Sequence, residues 1–310
     1  MAKKEGGRKW LRCGCMGCLA VLALCVVIGA IFLGGAAYGV RSEKIEEQVL
    51  TPEIPLAPPV DGLAQGPEGI ELAPGGRGEV LLDLRRGEFF IEPASAGDPL
   101  RVEARYDRSA CEMVESLDQG ADGAWSYQLR FSCGSGSLLS GLRRMLGGTT
   151  PEVRIFLPPD TELDLDLRLA QGDSKVELGG MWIDSARIDF EMGSVELGID
   201  RPLRAPMEQF EIRGSMGELT THSLGNASPR DLSVDFRMGG MELDLHGGWV
   251  GDSNVDLRFH MGGGVVLLPR DVRIEGVETD RLDPLSHEET DRPTLRFTTS
   301  SSQSGLQFVD

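Results

Sequence analysis

Apolar and polar positions alternate along most of the chain after residue 76, and glycine interrupts the alternation at regular intervals. Leu163, Leu165, Leu167 and Leu169 take every second place, with Asp164, Asp166 and Arg168 between them. A period of two puts neighbours on opposite faces of a β-strand, so this stretch predicts leucines inward and charges outward. The arrangement recurs in SARIDFEMGSVELGI, EQFEIRGSMGELTT, RDLSVDFRMGGMELDLHG and SNVDLRFHMGGGVVLLP. Each copy holds an alternating run, a glycine and a second run. The glycines are Gly172, Gly193, Gly217, Gly239 and Gly262, spaced by 21, 24, 22 and 23 residues. Such spacing predicts a mainly β chain whose residues 151–277 form a short parallel β-solenoid, one coil per repeat. About five coils at roughly 4.8 Å make a stack about 24 Å tall.

Met192, Met216, Met238 and Met261 precede the glycine in four successive repeats, and Gln171 holds that place in the first. Stacked, they form a thioether column. Soft sulfur ligands suit Cu(I), which makes an extracytoplasmic metal binder one alternative. A solenoid core also uses stacked identical apolar residues, and methionine fills irregular space. The expectation is therefore structural: the Met-Gly pairs build the core, with no catalytic, cofactor or metal site. His222, His246, His260 and His287 are the only histidines and are expected at the surface.

Upstream, GEVLLDLRRGEFFIEP has two extended runs flanking Arg86-Gly87, a hairpin or a first coil. LRVEARYD (100–107) and WSYQLRFSC (125–133) alternate as strands. Cys111 and Cys133 stand apart from the other cysteines, and an oxidising compartment makes a disulfide between them the expectation. Leu138, Leu139, Leu142, Met145 and Leu146 fall on one face of a short helix that would cap the stack. After a polar loop over 278–289, Leu295–Thr298 and Leu306–Val309 alternate again and are expected to close the other end.

The N-terminus bears on location. Cys18 to Tyr38 is 21 residues without a charge, enough for a helix spanning about 30 Å of hydrocarbon. A cleaved signal peptide is the competing reading, and the length of the run favours an uncleaved signal-anchor. Lys3, Lys4, Arg8, Lys9 and Arg12 place the N-terminus in the cytoplasm and the rest outside. Cys13, Cys15, Cys18 and Cys25 are read as small, soft residues at the helix entry; acylation stays open. Residues 41–50 are expected to continue the helix briefly. Six prolines between Thr51 and Gly76 make a stalk. The expected layout is a cytoplasmic tail (1–12), the anchor (13–40), the stalk (41–76), an N-terminal β region with a short helix (77–150), the solenoid (151–277) and capping strands (278–310).

The formal net charge is −18, and the first twelve residues carry +4, which leaves −22 for the remainder. A surface so acidic repels nucleic acid and anionic lipid. Asp164, Asp166, Asp184 and Asp189 raise the alternative of a carbohydrate-active β-helix enzyme, a lyase or glycosidase, with paired carboxylates. Such enzymes need clefts built from long loops. Here the sizeable excursions are only 199–206 and 221–231, so the carboxylates are read as solvation and the chain as non-catalytic. No GxSxG, HExxH or P-loop pattern occurs. Asn226-Ala227-Ser228 matches a glycosylation acceptor, but Pro229 follows it.

PPDTELDLDLRLAQGDSKVELGG, with the glycine-bent repeats that follow, resembles the bacterial putative-adhesin and toast-rack families, including the cell-wall-active antibiotic-response (LiaF-like) proteins. The resemblance covers roughly residues 76–310 and is strongest from Pro151 to Val277. It implies a membrane-tethered, non-catalytic β-solenoid outside the cell, with a protein or glycan of the envelope as partner and a tie to envelope stress. This chain has one expected N-terminal span where the antibiotic-response type has several.

Overall fold

The computed structural model describes residues 45–50, 76–108, 110–120, 123–134, 150–277, 292–301 and 304–309. The expected cytoplasmic tail (1–12), the anchor (13–40), most of the stalk, the short helix (138–146) and the loop at 278–289 lie outside them. Among the described residues no helix is long and apolar enough to cross a membrane.

The described chain is mainly β. In order, the strands are β1 (Ile45–Leu50), β2 (Arg77–Arg85), β3 (Gly87–Pro93), β4 (Arg101–Asp107), β5 (Cys111–Gln119), β6 (Trp125–Cys133), β7 (Glu152–Leu157) and β8 (Glu162–Glu177). They continue as β9 (Trp182–Gly198), β10 (Gln209–His222), β11 (Asp231–Asp244), β12 (Ser253–Leu267), β13 (Arg273–Glu275), β14 (Thr294–Ser301) and β15 (Ser304–Val309). All belong to one sheet. The five long strands β8 to β12 lie side by side, parallel and in sequence order. Each bends once at its glycine, and the bend divides the sheet into two wings. One wing runs β5-β6-β2, then the first halves of β8 to β12, then β14-β13. The other runs β1-β4-β7-β3, then the second halves, then β15.

The core fills the space between the wings. Rings meet across it at both ends: Phe89 of β3 contacts Phe131 of β6 (centroids 6.1 Å), and Phe297 of β14 contacts Phe308 of β15 (5.8 Å). Along the first wing the inward positions form columns. Leu129, Leu82, Leu167, Ile188, Ile212, Val234 and Leu257 stack in register, all fully buried. The adjacent column runs Leu84, Leu169, Phe190, Gly214, Phe236 and Phe259. Gly214 interrupts it because two rings close over the strand there: a Cβ would lie 2.4 Å from atoms of both Phe190 and Phe236.

β2 and β3 do not pair with each other. β2 lies beside the first half of β8 and β3 beside the second, with Gly87 opposite Gly172. Of the two readings of this segment, the hairpin is excluded: the two runs pair in parallel with the two halves of β8. Beyond it the parallel stack is finished by antiparallel strands, β5 on one wing and β4 with β1 on the other. Two of these depart from expectation. Residues 45–50 form strand β1 where a continued membrane helix was expected, because the edge of β4 offers backbone groups that pairing satisfies. β5 shows little apolar alternation because most of it is exposed at an edge.

Cys111 and Cys133 lie opposite each other in β5 and β6 and are joined by a disulfide, as expected. They are 22 residues apart, for which loop-closure entropy suggests about 3 kcal/mol. Replacing both by serine is expected to lower stability by up to about 3 kcal/mol. Hydrogen exchange should rise first in β5.

Candidate functional site

The bends build a ridge along one edge of the stack. Gly172, Gly193, Gly217, Gly239 and Gly262 all have φ between 128 and 135°. Each sits against the carbonyl oxygen of the preceding glycine: an added Cβ would come within 1.8 to 2.0 Å of it. Only glycine allows that approach in that conformation. Met192 pairs with Met216, and Met238 with Met261. The flanking pairs Gly214–Phe236 and Gly217–Gly239 bring Met216 beside Met238. Gln171 lies opposite Met192, and its Oε1 accepts hydrogen bonds from Arg86 at 3.2 and 3.3 Å.

The methionines therefore stack as the repeat predicts, but not in the core. Met192, Met216, Met238 and Met261 are 48, 44, 40 and 45% exposed. The reason is the bend itself. Phe190 and Val195 both point inward although an even number of residues separates them, so the alternation changes phase across the glycine. Residues at the apex lie outside both wings. In sequence, an apolar residue at the right period looks the same inside the stack or on its spine.

The outer face of the first wing carries the charges read earlier as a possible acid/base set. Asp164 accepts from Arg77 Nε (2.6 Å), Arg77 Nη2 (2.8 Å) and Ser185 Oγ (2.5 Å). Arg77 also reaches Asp184 at 2.6 Å. A register shift after Leu163 puts Asp184 within that reach. Asp166 pairs with Arg168 at 2.7 Å and Asp189 with Arg187 at 3.0 Å. Across the strands the signs alternate along one row: Arg130, Asp83, Arg168, Asp189, Arg213, Asp235, Arg258. Opposite charges in facing positions stabilise a sheet. Asp164 and Asp184 come together only around the shared Arg77 Nη2, while Asp166 and Asp189 are each held by an arginine of their own strand. Sequence reasoning missed the arginine partners, whose alternation with the acids becomes visible only when the repeats are aligned by their glycines.

Burial pushes the Asp164 carboxyl up, but the hydrogen bonds from Arg77 and Ser185 and the guanidinium charge outweigh it and hold it below the ordinary carboxylate range. A carboxyl so held is ionised at neutral pH and unsuited to act as a general acid. Asp244 behaves alike. Burial raises it, and the backbone N–H groups of His246 and Ser223 (2.9 and 3.0 Å) with the His246 ring more than reverse this. Both folded-state values lie below the unfolded one. Their stabilisation is thus present above about pH 4 and lost as pH falls through the folded values. Asp244→Asn is expected to cost about 1–2 kcal/mol at pH 7 and progressively less below about pH 4, read by urea unfolding at each pH.

The turns on the far edge are tied side to side. Asn226 Nδ2 donates to the Ile199 carbonyl (2.7 Å), and its Oδ1 accepts from Gly248 N–H (3.0 Å). One amide links three successive turns, an occupation that leaves the acceptor motif without a free side chain. The outer face of the first wing carries two shallow hollows of ≈ 210 and ≈ 260 Å³. The first is lined by Asp189, Arg213 and Asp235, the second by Asp164, Ser185 and Glu211. Both fall below the roughly 300 Å³ at which ligand pockets begin. Among the described residues no group of three or more His, Cys, Asp or Glu could hold a metal ion. His222, His246 and His260 lie at the surface on separate strands or turns, and His287 is outside the described residues.

No protein-family model matches the chain, and no curated protein matches it. Several solved structures are similar. One is described as a putative cell adhesion protein from Clostridium sporogenes (11% identity, 86% of this chain and 99% of that one, TM-score 0.37). Others are putative adhesins from Bacteroides fragilis (8% identity, 86% and 98%, TM-score 0.30) and Parabacteroides distasonis (10% identity, 86% and 98%, TM-score 0.27). With identities near 10% and TM-scores below 0.5, the fold described above rests on the strand pairing itself.

Proposed function

We propose that the chain is a non-catalytic, adhesin-like interaction module: a β-solenoid of the toast-rack kind, held on the extracytoplasmic side of the membrane, periplasmic or extracellular, by one N-terminal helix. Its partner is a protein or glycan of the cell envelope, bound on the flat outer face of the first wing, in the manner of an envelope-stress scaffold. One observation carries the reading. That face is built from strands and not loops, its aspartates are held by arginines, and its two described hollows are below the size of a ligand pocket. Arg77's hold on Asp164 and Asp184 argues against the lyase or glycosidase alternative. The charge-free run from Cys18 to Tyr38 supports the anchor.

The test places a photo-crosslinking residue at Gln209, exposed on that face, or at Val250, exposed on a turn, in the full-length chain in its native membrane. A discrete envelope adduct from Gln209 and none from Val250 is the expected result. No adduct at Gln209, or polysaccharide cleavage that Asp164→Asn abolishes, would overturn the proposal. External protease that leaves residues 76–310 untouched in spheroplasts, while digesting them in lysed cells, would overturn the extracytoplasmic location.

A further inference from the structure

The methionine ridge has chemistry that an interaction face does not use. Four thioethers stand in one row at the apex of successive bends, each 40 to 48% exposed. Exposed large apolar side chains are few among the described residues, and half of them are these methionines: the others are Val114, Trp182, Val250 and Val309. Leucine would serve as well for covering the glycine bends. Methionine differs from it in having a soft, polarisable sulfur on a flexible stem.

Spacing suits a shared ion. Neighbouring strands lie about 4.8 Å apart, so in-register methionines start from that separation. Two metal–sulfur bonds of about 2.3 Å span nearly the same distance when collinear. Three torsions per side chain let a third sulfur close in. The residues beside the row do not form a competing cluster: Glu191, Ser215, Arg237 and His260 occupy the place before each methionine, and the two able to ligate a metal, Glu191 and His260, lie on the well-separated strands β9 and β12. Thioethers without carboxylate or imidazole clusters select soft monovalent ions over zinc or calcium.

We infer that Met192, Met216, Met238 and Met261 form a surface site for Cu(I), with two or three thioethers sharing each ion along the ridge. The core methionines Met181, Met207 and Met241 are buried and take no part.

The test uses the full-length chain with Cys13, Cys15, Cys18 and Cys25 replaced by serine, since their thiols would otherwise bind the same ion. Ag(I) serves as a redox-inert probe, followed by Cu(I) under ascorbate against a chromophoric competitor. With methionine methyl groups labelled with ¹³C, Ag(I) should shift four resonances and leave those of Met181, Met207 and Met241 unmoved. Met216→Leu with Met238→Leu should weaken binding at least tenfold with an unchanged circular dichroism spectrum. X-ray absorption of the Cu(I) form should show sulfur neighbours. The proposal is overturned if the serine-substituted chain binds neither ion, if the shifts appear at buried methionines instead, or if nitrogen and oxygen dominate the coordination. The methyl readout needs no variant, so it decides the matter even where a substitution impairs folding.

Discussion

Gly217→Ala is expected to abolish the cooperative unfolding transition or to cost more than about 4 kcal/mol. Two costs combine. At φ 133° an L side chain is strained, typically by about 1–3 kcal/mol. The new Cβ would also sit 1.9 Å from the Gly193 carbonyl oxygen, a backbone atom that no rotamer change can move. Relief requires β9 and β10 to part at the bend, with loss of the pairs on both sides of it. Whole domains are stable by only about 5–15 kcal/mol, so one such change approaches the total. Gly240→Ala is the matched control. It lies one residue beyond the next bend, has no atom within 4 Å of the added Cβ and lacks the positive φ. It should stay within about 0.5 kcal/mol of the parent in urea unfolding, as surface substitutions usually do.

Phe236→Ala is expected to cost about 3–5 kcal/mol. Its ring is fully buried, with Phe190 and Phe259 each at a centroid distance of 5.7 Å on either side. The contact with Phe190 passes over Gly214 on the intervening strand, so truncation opens a cavity in the middle of the column. Gly214→Ala by itself should cost about 1–3 kcal/mol through overpacking, because its Cβ would enter both rings. Combined, the two changes should cost less than their sum, since the alanine at 214 takes up part of the space that Phe236 leaves. Equilibrium unfolding of the three variants measures the coupling directly.

The repeat made much of this arrangement legible in advance. Period-two leucines from Leu163 to Leu169 turn inward, the glycines align, and the runs at Leu295 and Leu306 cover the last long strand. These succeed because in-register stacking places identical positions of each repeat in one environment, so the pattern reports burial several times over. Three features escaped for physical reasons. Hydropathy and period point the methionines inward, because neither shows on which side of a bend a residue falls. β5 and β1 were missed because edge strands are held by backbone pairing, which leaves little trace in side-chain pattern. The acidic face looked like a possible site because each aspartate was read along its own strand. Its arginine neighbours come partly from distant sequence, as with Arg77 and Asp164, 87 residues apart.

The central claim is that successive repeats pair side by side, parallel and in register, across β8 to β12. Nitroxide labels read it most directly through dipolar broadening in continuous-wave electron paramagnetic resonance. Thr220 faces Glu242 on one neighbouring strand and Glu196 on the other, about 4.8 Å away in each direction. Labels at 220 with 242, and at 220 with 196, should broaden strongly, and labels at 196 with 242 clearly less. Absence of broadening in both neighbouring pairs, or equal broadening in all three, would contradict the account.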